Sequence, residues 1–434
     1  MNSSAGTFAS QPAGSGYPLS PPYLVQPIRG VRPFLVAFAL LFAVTYFEPL
    51  TILGFKFATI WRLVIVLPAF LLIISRPFHP TARERELEPL FWASLAFTLA
   101  PLLSLGFEQS SFRAAVETCA QRGFPIIVLL LTIATARLDW ADLLVRAFPL
   151  YLCLVSVPIF LGLLKTAGGS LEAVAGVSVT AYASVFQNVH SAALAQAIGT
   201  LCAFTLMIRF PGRQTVLLLA VVLLGVALTA ATTARAGLLA LIVGMVAIGV
   251  LMRQMKFFVV LVALSALLVL LVAAARPELI DLATNRLLGR NIYMLDTSAD
   301  AMTSGRLTLQ AAALLAYVDQ PWTRQLFGIG TSASIEAIGR YSGFYLIAHN
   351  AFIDELIAHG ALGLMALLAV LGTAGRLAWK NARAGHPAGF GLVLAFLIYA
   401  LFQGVDYSLQ LSIVGLVLYL DTHARVAVEF RHEA

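Results

Sequence analysis

The sequence predicts an all-α polytopic membrane protein with about twelve transmembrane helices, and three observations carry this prediction. Of the 434 residues, 60% are hydrophobic and 11% are charged, and the mean hydropathy is +0.89. This composition lies far outside that of a soluble globular domain. Apolar runs close to the roughly twenty residues that cross hydrocarbon recur along the chain. Lys and Arg collect in alternate connections between these runs, which is typical of a polytopic helical bundle.

The apolar runs define the predicted spans, since each is long enough to cross a bilayer as a helix. The last of them is short and contains polar residues. The spans are 33–50, 57–75, 89–106, 117–135, 143–164, 186–208, 214–231, 235–252, 257–275, 350–373, 388–403 and 406–420.

The distribution of positive charge predicts that both termini are cytoplasmic (N-in/C-in), because basic residues in short loops stay on that side. The opposite short loops hold little beyond Lys56, Arg113 and Lys165. The predicted cytoplasmic connections carry Arg29, Arg32, Arg76, Arg83, Arg85, Arg137, Arg209, Arg213, Arg253, Lys256, Arg376, Lys380, Arg383, Arg425 and Arg431.

This topology divides the chain into five parts. Residues 1–30 are expected to be a disordered cytoplasmic tail, 31–276 to hold helices 1–9, and 349–420 to hold helices 10–12. A second cytoplasmic tail follows at 421–434. The polar segment 277–348 becomes a long periplasmic loop between helices 9 and 10, a length that is usually functional or disordered.

The periplasmic loop shows a helical pattern. Ser304 is expected to cap a helix that ends before Pro321, and a second short helix is expected around 333–338, ending at Gly339. The first helix is expected to be amphipathic, with apolar residues at three- and four-residue intervals. These residues are Leu307, Ala311, Leu314, Leu315 and Val318.

The charge and motif content exclude several classes of function. The net charge of +7 comes from short basic clusters rather than one basic face, so no nucleic-acid partner is expected. The cysteines Cys119, Cys153 and Cys202 share no metal-ligand or redox spacing. No P-loop, dinucleotide fingerprint or zinc-protease motif occurs, so we expect no cofactor and no metal.

Three polar residues at the predicted outer ends of helices are the candidate site. Arg235 and Arg306 each suit a phosphate oxyanion, because a guanidinium donates two parallel hydrogen bonds and stays charged. His349 is a candidate general base, since a neutral imidazole accepts a proton near pH 7. The alternatives are a snorkelling arginine at a tight connection for Arg235, a solvated surface charge for Arg306, and a helix-capping pair for His349 and Asn350.

Further residues on the same predicted side are secondary candidates for the site. They are Arg122, Asn188, His190, Arg290, Arg340 and Asn350. A structural role is equally open for Arg122, Asn188 and His190, and a solvated surface role is the favoured interpretation for Arg290 and Arg340.

Four runs in order along residues 185–375 carry a family resemblance. They are TTARAG at a helix pair, SGRLTLQAAALL in the loop, FGIG further on, and AHNAFIDELIAHGALGL entering helix 10. Together they resemble the bacterial O-antigen ligase and polymerase superfamily. The departure is Ala234, where the family often has Ser, which affects only a hydroxyl contact.

The resemblance implies a metal-independent, inverting glycosyltransferase in the bacterial inner membrane, with its active site facing the periplasm. Its donor would be an oligosaccharide on undecaprenyl pyrophosphate and its acceptor a glycan or lipid-linked glycan, within a polysaccharide assembly pathway. Arg235 and Arg306 would hold the pyrophosphate, and His349 would activate the acceptor hydroxyl.

The motifs do not separate a polymerase of lipid-linked repeats, which we take as the first interpretation, from a ligase that transfers the glycan to lipid A core. A transporter or a lipid-linked glycan flippase is an alternative of a different class, since about twelve spans are common there. A purely structural subunit is a third, and it would not require Arg235, Arg306 and His349 to converge.

Overall fold

The structure is a computed structural model that describes part of the chain. The described residues are 51–52, 55–56, 85–106, 112–135, 171–172, 178–179, 189–209, 212, 214–232, 234–275, 305–404, 411, 413–422 and 425.

Helices make up nearly all of the described chain, as the sequence predicts. Two minimal antiparallel pairs also occur, β1 (Thr51–Ile52) with β2 (Phe55–Lys56) and β3 (Leu171–Glu172) with β4 (Ser178–Val179). The helices are α1 (Glu88–Leu103), α2 (Phe112–Thr135), α3 (Val189–Arg209), α4 (Gln214–Ala231), α5 (Arg235–Leu251), α6 (Met255–Ala275), α7 (Arg306–Val318), α8 (Trp322–Phe327), α9 (Thr331–Ser342), α10 (Ala351–Arg383), α11 (Ala388–Ala400) and α12 (Ile413–Thr422).

Four of the described helices are long and apolar enough to cross a membrane, namely those at Glu88–Gly106, His190–Arg209, Gln214–Ala231 and Ala351–Arg383. Shorter apolar helices occur at the predicted spans 235–252, 257–275, 388–403 and 406–420. The predicted spans 33–50, 57–75 and 143–164 lie outside the described residues. The total of twelve and the N-in/C-in arrangement therefore stay predictions.

Helix α3 lies at the centre of the bundle. Every residue from Ala192 to Ile208 is buried. Its neighbours are α4, α5 and α11. Small residues let these helices approach closely, as is common in membrane bundles. A Cβ atom on Gly225 of α4 would lie 2.0 Å from Oγ1 of Thr200, and one on Gly237 of α5 would lie 2.6 Å from Cβ of Ala193.

Helices α5 and α11 run antiparallel, with two glycines at their crossing. A Cβ atom on Gly244 would lie 3.1 Å from the carbonyl oxygen of Gly391, and one on Gly391 would lie 3.2 Å from that of Gly244. Arg235 lies nine residues before Gly244, and Ala400 lies nine residues after Gly391. At about 1.5 Å per residue, both are roughly 13 Å from the crossing and at the same end of the bundle.

A smaller cluster joins two of the loop helices, α7 and α9, to the beginning of α10. The predicted amphipathic helix is present as α7, with Gly305 rather than Ser304 as its N-cap, and its predicted apolar residues do not form the packed face. Leu307, Leu314, Leu315 and Val318 are exposed. The face packed against α9 and α10 consists of Leu309, Ala312, Ala313 and Ala316. Small side chains let helices approach closely, which explains why the alanines rather than the leucines face the contact.

The second predicted loop helix is also present, with a later end. Helix α9 continues past Gly339 to Ser342, and the following Gly343, with φ of +77°, forms a left-handed C-terminal cap. The preceding helix α8 was not predicted, because six residues are too few for a helical period to be recognised.

The FGIG run docks on a break in α10. Gly360 has φ +70° and ψ −170°, so the helix is interrupted there. A residue that leaves the helical path leaves carbonyl groups of the preceding turn without their partners within the helix. The amides of Ile329 and Gly330 donate to the carbonyl oxygens of Ile357 (3.3 Å) and Ala358 (2.8 Å). The loop therefore completes the hydrogen bonding of the broken helix.

The opposite end of the bundle holds a buried polar cluster. Arg425 bonds to the carboxylate of Glu86 and to Oδ1 of Asn381, the latter at 2.9 Å. Lys380 lies 2.7 Å from the other oxygen of Glu86. These contacts tie the beginning of α1 to the end of α10 and to the residues after α12. Lys380 and Arg425 belong to the predicted cytoplasmic connections.

Candidate active site

Arg306 and His349 meet at the turn that follows α11. The guanidinium of Arg306 donates to the carbonyl oxygen of Phe402 at 3.2 Å, and Nδ1 of His349 lies 3.4 Å from Oε1 of Gln403. Arg306 and His349 stand at the two ends of the segment that forms α7, α8 and α9. Their side chains nevertheless contact consecutive residues, Phe402 and Gln403, of one turn. Both side chains are half-buried. A permanent cation and an ionisable base therefore share one mouth of the bundle.

The sequence places Arg306 at the first position of α7. The preceding Gly305 has φ +78°, a conformation that glycine adopts without the steric penalty of a side chain. The first turn of a helix also presents free backbone N–H groups and a positive dipole end. Arg306 therefore adds its charge to an end of α7 that already favours anions.

The backbone around His349 is held by Asp354. The amide of Ala348 donates to Oδ1 of Asp354 at 2.7 Å, and the amide of Asn350 donates to Oδ2 at 3.2 Å. His349 itself adopts φ +55°, which few residues other than glycine adopt. A strained conformation of this kind persists only where its surroundings fix it, and it is frequent at functional sites.

Asn350 is the N-cap of α10, as the capping interpretation predicts. Its Oδ1 accepts from the amides of Phe352 (3.0 Å) and Ile353 (3.3 Å). Its Nδ2 also donates to the carbonyl oxygen of Leu401 at 3.2 Å. Asn350 thus joins the start of α10 to the same turn that binds Arg306 and His349.

Burial lowers the pKa of His349 from its ordinary value, and the positive charge of Arg306 lowers it further. The hydrogen bond to Gln403 opposes this shift. A lowered pKa keeps the imidazole neutral at pH 7, which is the form that can accept a proton.

Arg235 lies at this end of the bundle as the exposed first residue of α5. The antiparallel register of α5 and α11 puts it level with Ala400, immediately before the turn. In the preceding connection, Oγ1 of the buried Thr232 donates to the carbonyl oxygen of Thr229 and accepts from the amide of Ala234. Ala234 is the N-cap of α5 and makes no side-chain capping bond.

His190 and Gln403 extend the site into the bundle. Nε2 of Gln403 lies 3.5 Å from Nε2 of His190, and the hydroxyl of Tyr399 donates to the carbonyl oxygen of His190 at 2.6 Å. His190 was a secondary candidate from the sequence. Gln403 was missed, although a single amide directly after an apolar run is a recognisable signal. It connects His190 and His349, which lie in different parts of the sequence.

Arg122 lies in a buried ion pair. Its two terminal nitrogens donate to the two carboxylate oxygens of Glu355 at 2.8 and 2.7 Å, and its guanidinium stacks over the ring of Phe97. Nδ1 of His359 lies 2.7 Å from the same carboxylate. The three charged or ionisable side chains are 2–3% exposed. Arg122 therefore joins α2 to the first turns of α10.

The other secondary candidates do not join this cluster within the described chain. Arg340 is an exposed residue in the last turn of α9. Asn188 and Arg290 lie outside the described residues.

Comparison with known proteins identifies the central part of the chain. Residues 219–368 match the family model described as O-antigen ligase. No curated protein matches the chain. The matched segment runs from α4 into α10 and includes Arg235, Arg306 and His349. This match, over about a third of the chain, confirms the resemblance of this segment to the O-antigen ligase and polymerase superfamily.

Proposed function

We propose that the protein is an inverting, metal-independent membrane glycosyltransferase that moves a glycan from undecaprenyl pyrophosphate to a hydroxyl of an acceptor glycan at the periplasmic face. The observation that carries this proposal is the attachment of Arg306 and His349 to the consecutive residues Phe402 and Gln403. A base and a fixed cation at one mouth are the two groups that such a displacement requires.

In the proposed reaction the acceptor oxygen attacks the anomeric carbon of the donor sugar. The bond between that carbon and the phosphate oxygen breaks, and undecaprenyl pyrophosphate leaves with the bonding electron pair. His349 takes the proton of the acceptor hydroxyl and later releases it to solvent. A single displacement of this kind inverts the configuration at the anomeric carbon.

Negative charge grows on the pyrophosphate as it leaves, and arginines can stabilise it. Arg306 is suited to this because it stands at the N-terminus of α7, where the helix dipole has the same sign. Arg235 lies at the same end of the bundle and would contribute a second guanidinium. Two permanently charged guanidinium groups could take the place of a divalent metal ion. We therefore expect glycan transfer to continue in the presence of a chelator.

For the acceptor, we propose a second lipid-linked repeat, so that the enzyme polymerises a surface polysaccharide such as an O-antigen or an exopolysaccharide. A ligase that uses lipid A core is the second candidate, and the description of the matching family, O-antigen ligase, favours it. Purified protein supplied with a lipid-linked oligosaccharide and either acceptor distinguishes the two, because a polymerase yields a ladder of products and a ligase yields one.

A transporter or flippase is the candidate from another class. It is favoured by the buried Arg122–Glu355–His359 group and by the break in α10 at Gly360, since buried ionisable residues and broken helices are common in transporters. Movement of a lipid-linked oligosaccharide across proteoliposomes without any new glycosidic bond would support it over the enzyme.

The deciding experiment compares variants in the reconstituted transfer assay. His349→Ala and Arg306→Ala are expected to lower transfer by at least about 10²-fold, within the range of a lost general base or a lost charge-stabilising group. Arg383→Ala, an exposed arginine at the other end of α10, is the matched control and should transfer normally. Normal transfer by the purified His349→Ala/Arg306→Ala protein would refute the proposal.

A further inference from the structure

Gln403 lies between two imidazoles. Its Oε1 is 3.4 Å from Nδ1 of His349, and its Nε2 is 3.5 Å from Nε2 of His190. The residue is 2% exposed, although it belongs to a turn at the end of the bundle. A buried primary amide is kept where its hydrogen bonds are satisfied.

Both neighbours of Gln403 are attached to fixed backbone. The hydroxyl of Tyr399 donates to the carbonyl oxygen of His190, which ties the start of α3 to the end of α11. The two peptide groups beside His349 donate to Asp354. The amide of Gln403 is therefore held between two histidines whose backbones are fixed.

The chemistry of the amide then decides which nitrogen of His349 carries the proton. In the structure Oε1 of Gln403 faces His349 and Nε2 faces His190. An amide oxygen only accepts, so with this orientation Nδ1 of His349 is the donor, and the amide NH₂ donates to Nε2 of His190. A neutral imidazole that carries its proton on Nδ1 has its lone pair on Nε2. The Nε2 atom of His349 is the nitrogen left to act as a base.

We propose that Gln403 is a positioning residue that holds His349 in the Nδ1–H tautomer, so that Nε2 takes the proton of the acceptor hydroxyl. The inference rests on the proposed function in one step only, the transfer of the acceptor hydroxyl proton to Nε2. The tautomer itself does not depend on substrate or on turnover.

The first test is therefore made on the full-length protein without substrate. Nitrogen chemical shifts of ¹⁵N-histidine-labelled protein distinguish the two tautomers, and a His349→Ala spectrum assigns the signals of His349. We expect Nδ1–H in the natural protein at pH 8 and a mixture of tautomers in Gln403→Leu. Gln325→Leu is the matched control, because Gln325 donates to the carbonyl oxygens of Val318 and Gln320 and not to a histidine.

The second test is the pH profile of transfer. Gln403→Leu is expected to lower kcat at least about tenfold, a part of what a general base supplies. Gln403→Glu keeps an acceptor for Nδ1–H and adds a negative charge, so the acidic limb of its profile should move to higher pH while the plateau is retained. If Gln403 had a merely structural role, both variants would show a lower maximal rate of transfer, and the acidic limb of the pH profile would stay at the same pH.

Two results would overturn the inference. One is a His349 that carries its proton on Nε2 in the natural protein. The other is an unchanged His349 tautomer in a Gln403→Leu protein whose unfolding temperature equals that of the natural protein. Failure of the proposed function looks different, because normal transfer by His349→Ala would refute the role of the base whatever tautomer the spectrum shows.

Discussion

Gly328 and Gly360 cross with their backbones in contact. A Cβ atom on Gly328 would lie 2.2 Å from the carbonyl oxygen of Ala358, and one on Gly360 would lie 2.3 Å from that of Leu326. Both residues also combine positive φ with ψ near 180° (+81°/177° and +70°/−170°), a region essentially restricted to glycine, and such conformations cost about 1–3 kcal/mol. Gly328 in the loop and Gly360 at the break in α10 are therefore both required for the same backbone contact.

Gly360→Ala is accordingly expected to destabilise the protein by more than the conformational cost alone, because the methyl group meets backbone that cannot turn away. Thermal unfolding in detergent micelles measures the effect. Gly372→Ala in the same helix is the control, since a Cβ atom there meets nothing within 4 Å, and it should raise stability by up to about 1 kcal/mol. Equal unfolding temperatures for the two variants would contradict the crossing.

The pH dependence of transfer should follow His349. The protonated imidazole cannot act as a base, and burial and Arg306 lower its pKa. The rate is therefore expected to be constant above pH 7 and to fall on an acidic limb centred below about 6.5, the ordinary value. In Arg306→Gln the residual activity should show that limb at higher pH, because a positive charge has been removed. A limb that stays in place would show that Arg306 does not act on His349.

The buried pair of Arg122 and Glu355 should be strongly coupled. Removing one partner leaves the other charge unpaired in the interior, so Arg122→Ala is expected to cost about 3–5 kcal/mol. The double variant Arg122→Met/Glu355→Gln should lose much less than the sum of its single changes, which a double-mutant cycle of unfolding free energies measures.

The exposed pair of Arg113 and Glu117 is the control for that cycle. Its side chains are 86% and 61% exposed. A surface pair of this kind contributes well under about 1 kcal/mol, so Arg113→Ala should leave stability nearly unchanged. Additive effects for Arg122 and Glu355 would contradict the buried network.

Asn350 makes two kinds of contact that substitutions can separate. Asn350→Ala removes the N-cap of α10 and should cost about 1 kcal/mol. Asn350→Asp retains an oxygen for the amides of Phe352 and Ile353 but cannot donate to the carbonyl oxygen of Leu401. Amide hydrogen exchange at residues 352 and 353 should therefore be fast in the Ala variant and slow in the Asp variant. Equal exchange in both would exclude the cap.

The orientation of the bundle can be tested by labelling cysteines with an impermeant maleimide. Ser332 in α9 and Ala384 after α10 are both exposed, so each accepts a Cys without loss of packing. In a background that lacks the natural cysteines, position 332 should be labelled in intact cells and position 384 only after permeabilisation. The reverse pattern would place the candidate active site on the cytoplasmic side.

The features that the sequence predicts best depend on local pattern. The helix that begins at Arg306, the cap at Asn350 and the apolar spans within the described chain all follow from neighbouring residues. The packed face of α7 does not coincide with its predicted apolar stripe, because alanines rather than leucines make the closest contacts there. Periodicity alone does not reveal which of two apolar faces is covered.

The pairings that were not predicted join residues far apart in the sequence, although Arg122 itself was a secondary candidate. Arg122 and Glu355 are 233 positions apart, and Gln403 is 54 positions from His349. No local signal identifies such pairs, because each member is compatible with a surface or packing role until the fold brings it to its partner. The meeting of Arg306 and His349 was expected only from the order of the family motifs.

The enclosure of α3 has a consequence for how the membrane acts on this protein. Its sequence is as apolar as that of a lipid-facing helix, yet protein surrounds it from Ala192 to Ile208. Changes of bilayer thickness or lipid composition therefore reach it only through neighbouring helices. His190, at the start of α3, is thus attached to a helix that, within the described chain, is shielded from the lipid.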